Sequence, residues 1–410
     1  MLRFKKDDGS GYPPLKKYTI NEIFQEVTDY VAAGSFKDIS ENVKYLNEPD
    51  YAQLIRTYDI KSKFKNGNFV YVDEHAYSYL HRVQLDTSEF IMLPNIGANV
   101  GEVYFLTPSI FLHKKNVLGP NAILLKSNLN MKYLYGYFQT DTFKKNLSLI
   151  VSASGQPKFN KTDLKTMKIA CPCTEEQNKI AEFLTEIDNV IECSEKEVES
   201  LEQQKKGLIQ KIFSQEVRFK KENGNSYPGW IRKQFFEIMT CYSGGTPLVK
   251  NKEYYNGNIP FMRSGEIHDS KTKLYISEKG LKESSSKMIH KGDLIYALYG
   301  ATSGEVSISK LDAAINQAIL CIIPTLDNKR YLAEYLKFSR NKILSLFLQG
   351  GQGNLSAEII KNLSIPLPCV EEQKKIADFL SSFDEAIDAA KEELETWKNI
   401  KKGLLQQMFE

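Results

Sequence analysis

Two stretches of this chain place apolar residues at alternating steps of four and three. The first runs Ile187, Ile191, Ser194, Val198, Leu201, Lys205, Leu208, Ile212, and the second Phe383, Ile387, Ala390, Leu394, Trp397, Lys401, Leu404, Met408. This spacing is the a/d period of a coiled coil and predicts two helices whose seams pack on each other. A lysine stands at the same seam position in both, as a register device or by snorkelling its charge to solvent. Ahead of each seam, Glu175-Glu176-Gln177 and Glu371-Glu372-Gln373 put carboxylates where the positive end of a helix favours them, with Thr174 as a cap. The expectation is a short helix ending near Leu184, a break with a fresh cap at Thr185 or at Ser381-Ser382, and then the long helix. The first long helix must lead out of one domain into the next and the second must lead back, so an antiparallel pair is expected. From Ile187 to Ile212 such a helix rises about 39 Å, close to the roughly 34–36 Å of one turn of duplex DNA.

The intervening stretches, about 18–172 and 233–368, alternate short apolar runs with Gly- and Asn-bearing turns and read as mixed, strand-rich domains. The expected fold class is therefore α+β: two similar mixed domains joined by two long antiparallel coiled-coil-like helices, related by an approximate twofold axis. The boundaries fall at 1–173 for an N-terminal arm and first domain, 174–217 for a central helical region, 218–369 for a second arm and domain, and 370–410 for a C-terminal helical region.

The halves repeat one another. The helical regions match at an offset of 196, as in Lys179/Lys375, Phe183/Phe379, Asp188/Asp384 and Lys205-Lys206-Gly207-Leu208/Lys401-Lys402-Gly403-Leu404. The arms match at an offset of 215: Arg3-Phe4-Lys5-Lys6 recurs as Arg218-Phe219-Lys220-Lys221, and Tyr12-Pro13 as Tyr227-Pro228. The domains echo each other only faintly. Leu54-Ile55-Arg56-Thr57-Tyr58-Asp59-Ile60 resembles Phe261-Met262-Arg263-Ser264-Gly265-Glu266-Ile267, and Gly97-Ala98-Asn99-Val100-Gly101-Glu102 resembles Gly300-Ala301-Thr302-Ser303-Gly304-Glu305. Apolar positions and turn glycines recur while the polar residues between them differ. That is how one fold would present two surfaces.

Charge sharpens this picture. The net charge is only +3, but residues 174–217 hold 5 lysines against 11 acids, and residues 370–410 hold 6 against 10. The acidic helical regions thus mask about +13 on the rest, which suits basic, phosphate-seeking domains on an acidic scaffold. No apolar run is long enough to cross a bilayer and the start is charged, so a cytoplasmic location with reduced cysteines is expected. The six cysteines show no metal-ligand spacing and read as small buried apolar residues.

Base reading asks for Arg or Lys toward guanine, Asn or Gln toward adenine, and small hydroxyl or apolar groups near thymine methyls. The candidates in the first domain are Ser35, Lys37, Arg56, Lys61, Lys63, Lys65, Asn66 and Gln156. In the second they are Thr246, Lys250, Asn251, Lys252, Tyr254, Arg263, His268, Thr302, Gln352 and Asn354. Arg56 and Arg263 stand at equivalent positions. For each candidate a surface or salt-bridged side chain is the alternative. The paired glycines lack the spacing of a phosphate loop and read as tight turns between strands. There is no P-loop, and no Asn/Asp-Pro-Pro-aromatic sequence of the kind that holds a target amine for methylation. The five histidines form no close pair with a carboxylate in sequence. No catalytic residue and no metal ligand is therefore assigned.

Taken in order, these features resemble one family, the specificity (S) subunits of type I restriction-modification systems. The sharpest likeness lies in Pro368-Cys369-Val370-Glu371-Glu372-Gln373-Lys374-Lys375-Ile376-Ala377-Asp378-Phe379-Leu380 and its counterpart from Pro172 to Leu184. Gly244-Gly245-Thr246-Pro247, Ile259-Pro260-Phe261-Met262-Arg263, Gly292-Asp293-Leu294-Ile295 and Lys402-Gly403-Leu404-Leu405-Gln406-Gln407-Met408-Phe409 add to it. The resemblance covers essentially the whole chain. It implies two target recognition domains, each reading one half of a bipartite, asymmetric DNA site, with a spacer set by the helices. It also implies partners: double-stranded DNA, two methyltransferase (M) subunits that use S-adenosylmethionine, and restriction (R) subunits that use ATP and Mg, with no cofactor on this chain. The first domain departs from the pattern, with Ala33-Gly34-Ser35-Phe36 in place of Gly-Gly-Thr-Pro. Two other classes remain open on the residues alone: a coiled-coil adaptor that binds only proteins, and a hydrolase or nuclease hidden in one domain.

Overall fold

The computed structural model describes residues 2–152, 155–347 and 355–409. The chain forms two compact units, one of Met1–Glu195 with Glu392–Glu410 and one of Lys196–Lys391. Their boundary cuts through the middle of two 40-residue helices, a central helix Thr174–Phe213 and a terminal helix Val370–Phe409. Each unit therefore owns one half of each helix.

The expected break at Thr185 and Ser381-Ser382 is absent, and both helices run through it. The hydroxyls explain why. Thr185 Oγ1 donates to the Ala181 carbonyl at 2.6 Å and Ser382 Oγ to the Phe379 carbonyl at 2.7 Å. A hydroxyl satisfied on the preceding turn does not compete for the backbone, so it does not restart the helix. Thr174 is likewise the first helical residue and not a cap, the Cys173 carbonyl accepting from Gln177 N at 3.0 Å.

Within the first unit, Asp188 of the central helix meets Lys401 of the terminal helix at 2.6 Å, and Glu195 meets Lys398 at 3.3 Å. Within the second, Glu202 meets Lys391 at 2.7 Å and Lys205 meets Asp384 at 2.6 Å. In both units the numbers rise on one helix as they fall on the other, so the pairing is antiparallel. Every seam position is buried or half-buried, including the polar Ser194. The seam lysines turn to acids: Lys401 to Asp188, and Lys205 to Asp384 and Glu334.

The first unit is built on three sheets. Lys16–Thr19 pairs antiparallel with Lys168–Cys171. A four-stranded antiparallel sheet has the order Glu26–Asp29, Ala122–Lys126, Phe90–Pro94, Tyr104–Leu106. A three-stranded sheet has Ala52–Ile55 at its centre, antiparallel to Val70–Val72 and parallel to Asn116–Leu118. Phe90–Pro94 and Ala52–Ile55 are buried along their whole length, the first a continuous apolar run and the second apolar but for Gln53.

The second unit repeats this plan. Ile231–Gln234 pairs with Ser364–Leu367, and Met239–Ser243, Ile319–Pro324, Leu294–Ala297 and Val306–Ile308 form a sheet of the same order. Its remaining sheet is one strand wider: Leu274–Ile276, Tyr255–Met262, Ala313–Ile315, Lys287–Ile289, with Tyr255–Met262 parallel to Ala313–Ile315.

The long helices close both cores. Ile180, Ala181 and Leu184 with Leu405 and Met408 seal the first unit, and Ile376, Ala377 and Leu380 with Ile212 and Phe213 seal the second. Phe409 sits on Tyr133 and Tyr137, as Phe213 sits on Tyr331 and Tyr335. Gly136 admits the helices in the first unit, since a Cβ there would lie 2.9 Å from Leu184 and 3.2 Å from Phe409.

The two duplications turn out to be two sides of one clasp. Arg3 holds the buried Glu176 through Nε at 3.1 Å and Nη2 at 2.5 Å, and donates to the Pro13 carbonyl at 2.6 Å. Arg218 holds the buried Glu372 at 3.2 and 2.6 Å and donates to the Pro228 carbonyl at 2.7 Å. Phe4 stacks edge-on to Phe183 and Phe219 to Phe379. Gln177 and Gln373 donate to the Pro172 and Pro368 carbonyls at 2.9 and 3.0 Å. The acidic helix starts thus serve ion pairing to the arms more than the helix dipole.

Candidate nucleic-acid interface

The echo around Arg56 and Arg263 has a structural cause. In each unit the central parallel strand ends at the arginine, and a short helical turn follows: Thr57–Lys61 in one, Ser264–Glu266 in the other. The arginine backbone is extended (φ −104° and −106°), and its N–H donates to the acid three residues on. Arg56 also grips the fully buried Asp59 with two side-chain bonds, at 2.9 and 2.7 Å, and donates to the Asn68 carbonyl. Arg263 reaches Glu266 only at 3.5 Å. Burial pushes Glu266 up, but the amides of Lys273 and Arg263 and the Arg263 guanidinium hold it net below the ordinary glutamate range. Both arginines are thus engaged inside their own turns. Asn66 joins the first clamp, donating to Asp59 at 3.1 Å.

The paired glycines are turns between neighbouring antiparallel strands, as the sequence predicts. Gly97 and Gly101 both have φ +95°, and Gly300 and Gly304 have φ +82° and +81°, a region that disfavours any side chain. Each turn ends in a glutamate that reaches the residue five places after the clamp arginine. Lys61 meets Glu102 at 2.6 Å and Asn99 at 3.0 Å, and His268 meets Glu305 at 3.2 Å. Arg340 joins Glu305 at 3.2 Å and donates to the Ser303 carbonyl at 3.0 Å. Gln156 lies over the first turn, its Nε2 placed 3.1 Å from where a Cβ on Gly97 would be, and Thr302 sits inside the second. In the first unit Arg56, Lys61, Asn66 and Gln156 therefore converge on one loop region. In the second, Arg263, His268 and Thr302 do. Asp59, Asn99, Glu102, Glu266, Glu305 and Arg340 belong to these regions and were not singled out from sequence. The repeated glutamate after the second glycine is the signal that could have found two of them.

The other candidates lie elsewhere. Ser35 caps the helix Phe36–Asn42 in a reciprocal box with Asp38, and Lys37 on that helix is 83% exposed in its side chain. Lys63 meets Glu195 at 2.9 Å. That bond, with help from Lys398, holds Glu195 below the ordinary glutamate range. Lys65 follows it in the same turn. Thr246 donates to Gln317 at 2.8 Å. Lys250 and Lys252 are exposed, and Asn251 caps the turn Lys252–Tyr254. Tyr254 is a correction: only 8% exposed, it donates to Glu283 at 2.7 Å and packs against Gly280, so it is part of the core. Gln352 and Asn354 lie outside the described residues.

The cysteines also need correcting in part. Cys171 and Cys321 are buried, and burial pushes their thiols up to about 12 and about 11, but Cys193 is exposed and the rest are half-buried. Among the described residues no group of three or more His, Cys, Asp or Glu could hold a metal ion, and no helix is long and apolar enough to cross a membrane.

Duplicated sheets, clasps and antiparallel helices around unlike loop regions define a two-headed recognition scaffold, and comparison with known proteins agrees. Residues 15–203 and 230–396 each match the type I restriction modification DNA specificity domain, and the chain belongs to that family. It is 27% identical over 332 residues to the MjaVIII specificity subunit of Methanocaldococcus jannaschii, covering 75% of each chain. It is 31% identical over 210 residues to the MjaIX specificity subunit of the same organism, covering 48% of each. The fold matches a crystal structure of a type I S subunit from M. genitalium with TM-score 0.58 at 15% identity, covering 100% of this chain and 98% of that one. A chain from a structural study of type I complex assembly and conformational transition matches equally well, with TM-score 0.58 at 14% identity. DNA specificity is accordingly the role of this chain, and it is a non-catalytic subunit.

Proposed function

We propose that each unit reads one half of a bipartite, asymmetric duplex sequence, and that the two long helices set the unread spacer and dock methyltransferase subunits. One observation carries this reading. The frame repeats its clasps, Arg3–Glu176 and Arg218–Glu372, and its symmetric ion pairs, Asp188–Lys401 and Asp384–Lys205, while the loops beside the clamp arginines carry different polar groups. A repeated frame offers the same docking surface twice, and unlike loops read unlike half-sites.

In this reading the exposed lysines contact phosphates and give a salt-dependent affinity. Polar side chains at the glycine turns and clamp loops address base edges. Lys61 and His268 exchange their glutamates for DNA, or are held by them at the edge of the groove. The adenine to be methylated leaves the duplex for the pocket of an M subunit. S-adenosylmethionine belongs to that subunit, ATP and Mg to the R subunits, and the assembly works in the cytoplasm.

The test is to co-express the chain with its M subunits in a host free of other methylation and to map N6-methyladenine genome-wide. The expected result is one bipartite motif that vanishes when the chain is omitted. Exchanging residues 18–172 should then change one half of the motif only. A motif that persists without the chain, or an exchange that changes both halves, would overturn the reading.

A further inference from the structure

The internal repeat gives this chain a pairing problem. Leu208, Ile212 and Phe213 of the central helix are the equivalents of Leu404, Met408 and Phe409 of the terminal helix. Met408 closes the core of the first unit and Phe409 packs against it, while Ile212 and Phe213 close the second. The aromatic seats match, Tyr133 and Tyr137 under Phe409, Tyr331 and Tyr335 under Phe213. By shape and apolar character alone, the central helix of a second copy would fit where the terminal helix belongs. Like would then pair with like between chains, giving swapped dimers or longer assemblies.

The ion pairs discriminate between these arrangements. Asp188–Lys401 and Asp384–Lys205 are equivalent to each other and would form in either pairing. The other two pairs would not. Positions 195 and 391 are equivalent, as are 202 and 398, yet the central helix carries glutamate at both and the terminal helix lysine at both. In the native units Glu195 meets Lys398 and Glu202 meets Lys391. Antiparallel pairing of two central helices would set Glu195 against Glu202, and pairing of two terminal helices would set Lys391 against Lys398. We propose that these four residues select the partner: they direct the central helix to a terminal helix and turn away the central helix of a second copy. The symmetric pairs hold register, and the asymmetric pairs choose between helices that are otherwise alike. All four side chains are about a third to a half exposed, which suits discrimination better than stability.

The test exchanges charges so that the native pairs survive and the discrimination is lost. In the full chain, Glu202→Lys/Lys391→Glu keeps one salt bridge at each native site and leaves net charge unchanged. It makes each helix complementary to its own copy. Lys63→Glu/Glu195→Lys/Lys398→Glu makes the same exchange at the other site, preserves the contact to residue 63 and lowers the net charge by two. Each protein is unfolded in denaturant, refolded over a range of concentrations, and sized by chromatography with light scattering. A swapped dimer has four of these contacts, and each variant turns all four from repulsion to attraction, which should raise the dimer-to-monomer ratio by about tenfold. The monomer should keep the parent's melting temperature within a few degrees. Parent-like dimer ratios in both variants would overturn the proposal. So would failure of both to regain a native monomer, since the exchange is held to preserve the native pairs.

Discussion

The clasps and the clamps are both arginine–carboxylate devices, both occur once per unit, and they diverge to different degrees. The two clasps share the arginine–glutamate bonds and the bond to a proline carbonyl, and the second adds one to its glutamate: Trp230 Nε1 donates to Glu372 at 3.1 Å, where the first arm has Leu15. The two clamps share backbone geometry and little else. Arg56 is 33% exposed and bidentate on Asp59, whereas Arg263 is 47% exposed and barely reaches Glu266. Lys61 and Tyr104 hold one turn glutamate, His268 and Arg340 the other. A contact that closes the core against a shared helix tolerates little change. A contact at a loop need only hold the backbone, and its remaining polar groups can drift toward a new ligand.

The largest effect expected from this comparison is at the clasp. Arg3→Ala strands the buried Glu176 and should cost about 4 kcal/mol, against about 3 kcal/mol for Arg218→Ala, where Trp230 still serves Glu372. Hydrogen exchange at the starts of the long helices reads the two sites separately, and equal losses would remove the role given to Trp230. Next, Phe213→Ala should cost about 3 kcal/mol and Phe409→Ala about 2, because Phe213 is the more buried of the two. Thermal unfolding of each variant would check the ranking.

At the clamps, Arg56→Ala should cost about 2–3 kcal/mol by leaving the buried Asp59 without its cation, held only by Asn66 and the backbone N–H of residue 56. Arg263→Ala should cost about 1 kcal/mol or less, since that pair is long and half-exposed. The clearest reversal would be an Arg263 variant that unfolds more readily than its counterpart. The smallest effect concerns pH. Glu195 and Glu266 sit below the ordinary glutamate range when folded. Their contribution is therefore complete above the unfolded value and is lost as pH falls through the lower folded values. Denaturation between about pH 6 and pH 3 should show Glu266→Gln with a shallower acid loss than the parent. An unchanged slope would deny the amides of Lys273 and Arg263 their part.

Much of the frame was legible in the sequence. Every position on the 4-3 seam became buried or half-buried, and the offset of 196 matched Asp188 with Asp384 and Lys205 with Lys401, the residues of the symmetric ion pairs. The glycine pairs read as turns because they lack the spacing of a phosphate loop and stand between apolar runs, and positive φ at all four is what glycine there permits. The loops were less legible. Tyr254 looked like a surface aromatic beside lysines, and nothing local tells that Gly280 lies against it. Ser35 has the chemistry of a base contact and equally that of a cap, and Asp38 three residues on was the available clue.

Sequence by itself determined the periodicities, the duplication and the family, because these depend on residue order along one chain. Only tertiary structure decided that Glu176 and Arg3 belong together across 173 positions, that Thr185 and Ser382 leave the helices unbroken, and that Lys61 answers to Glu102. The sequence called for an antiparallel pair of the two long helices, and tertiary structure decided which charges meet across it. Apolar seams so alike carry no such information, and the choice passes to charges whose meaning appears only once the two helices lie side by side.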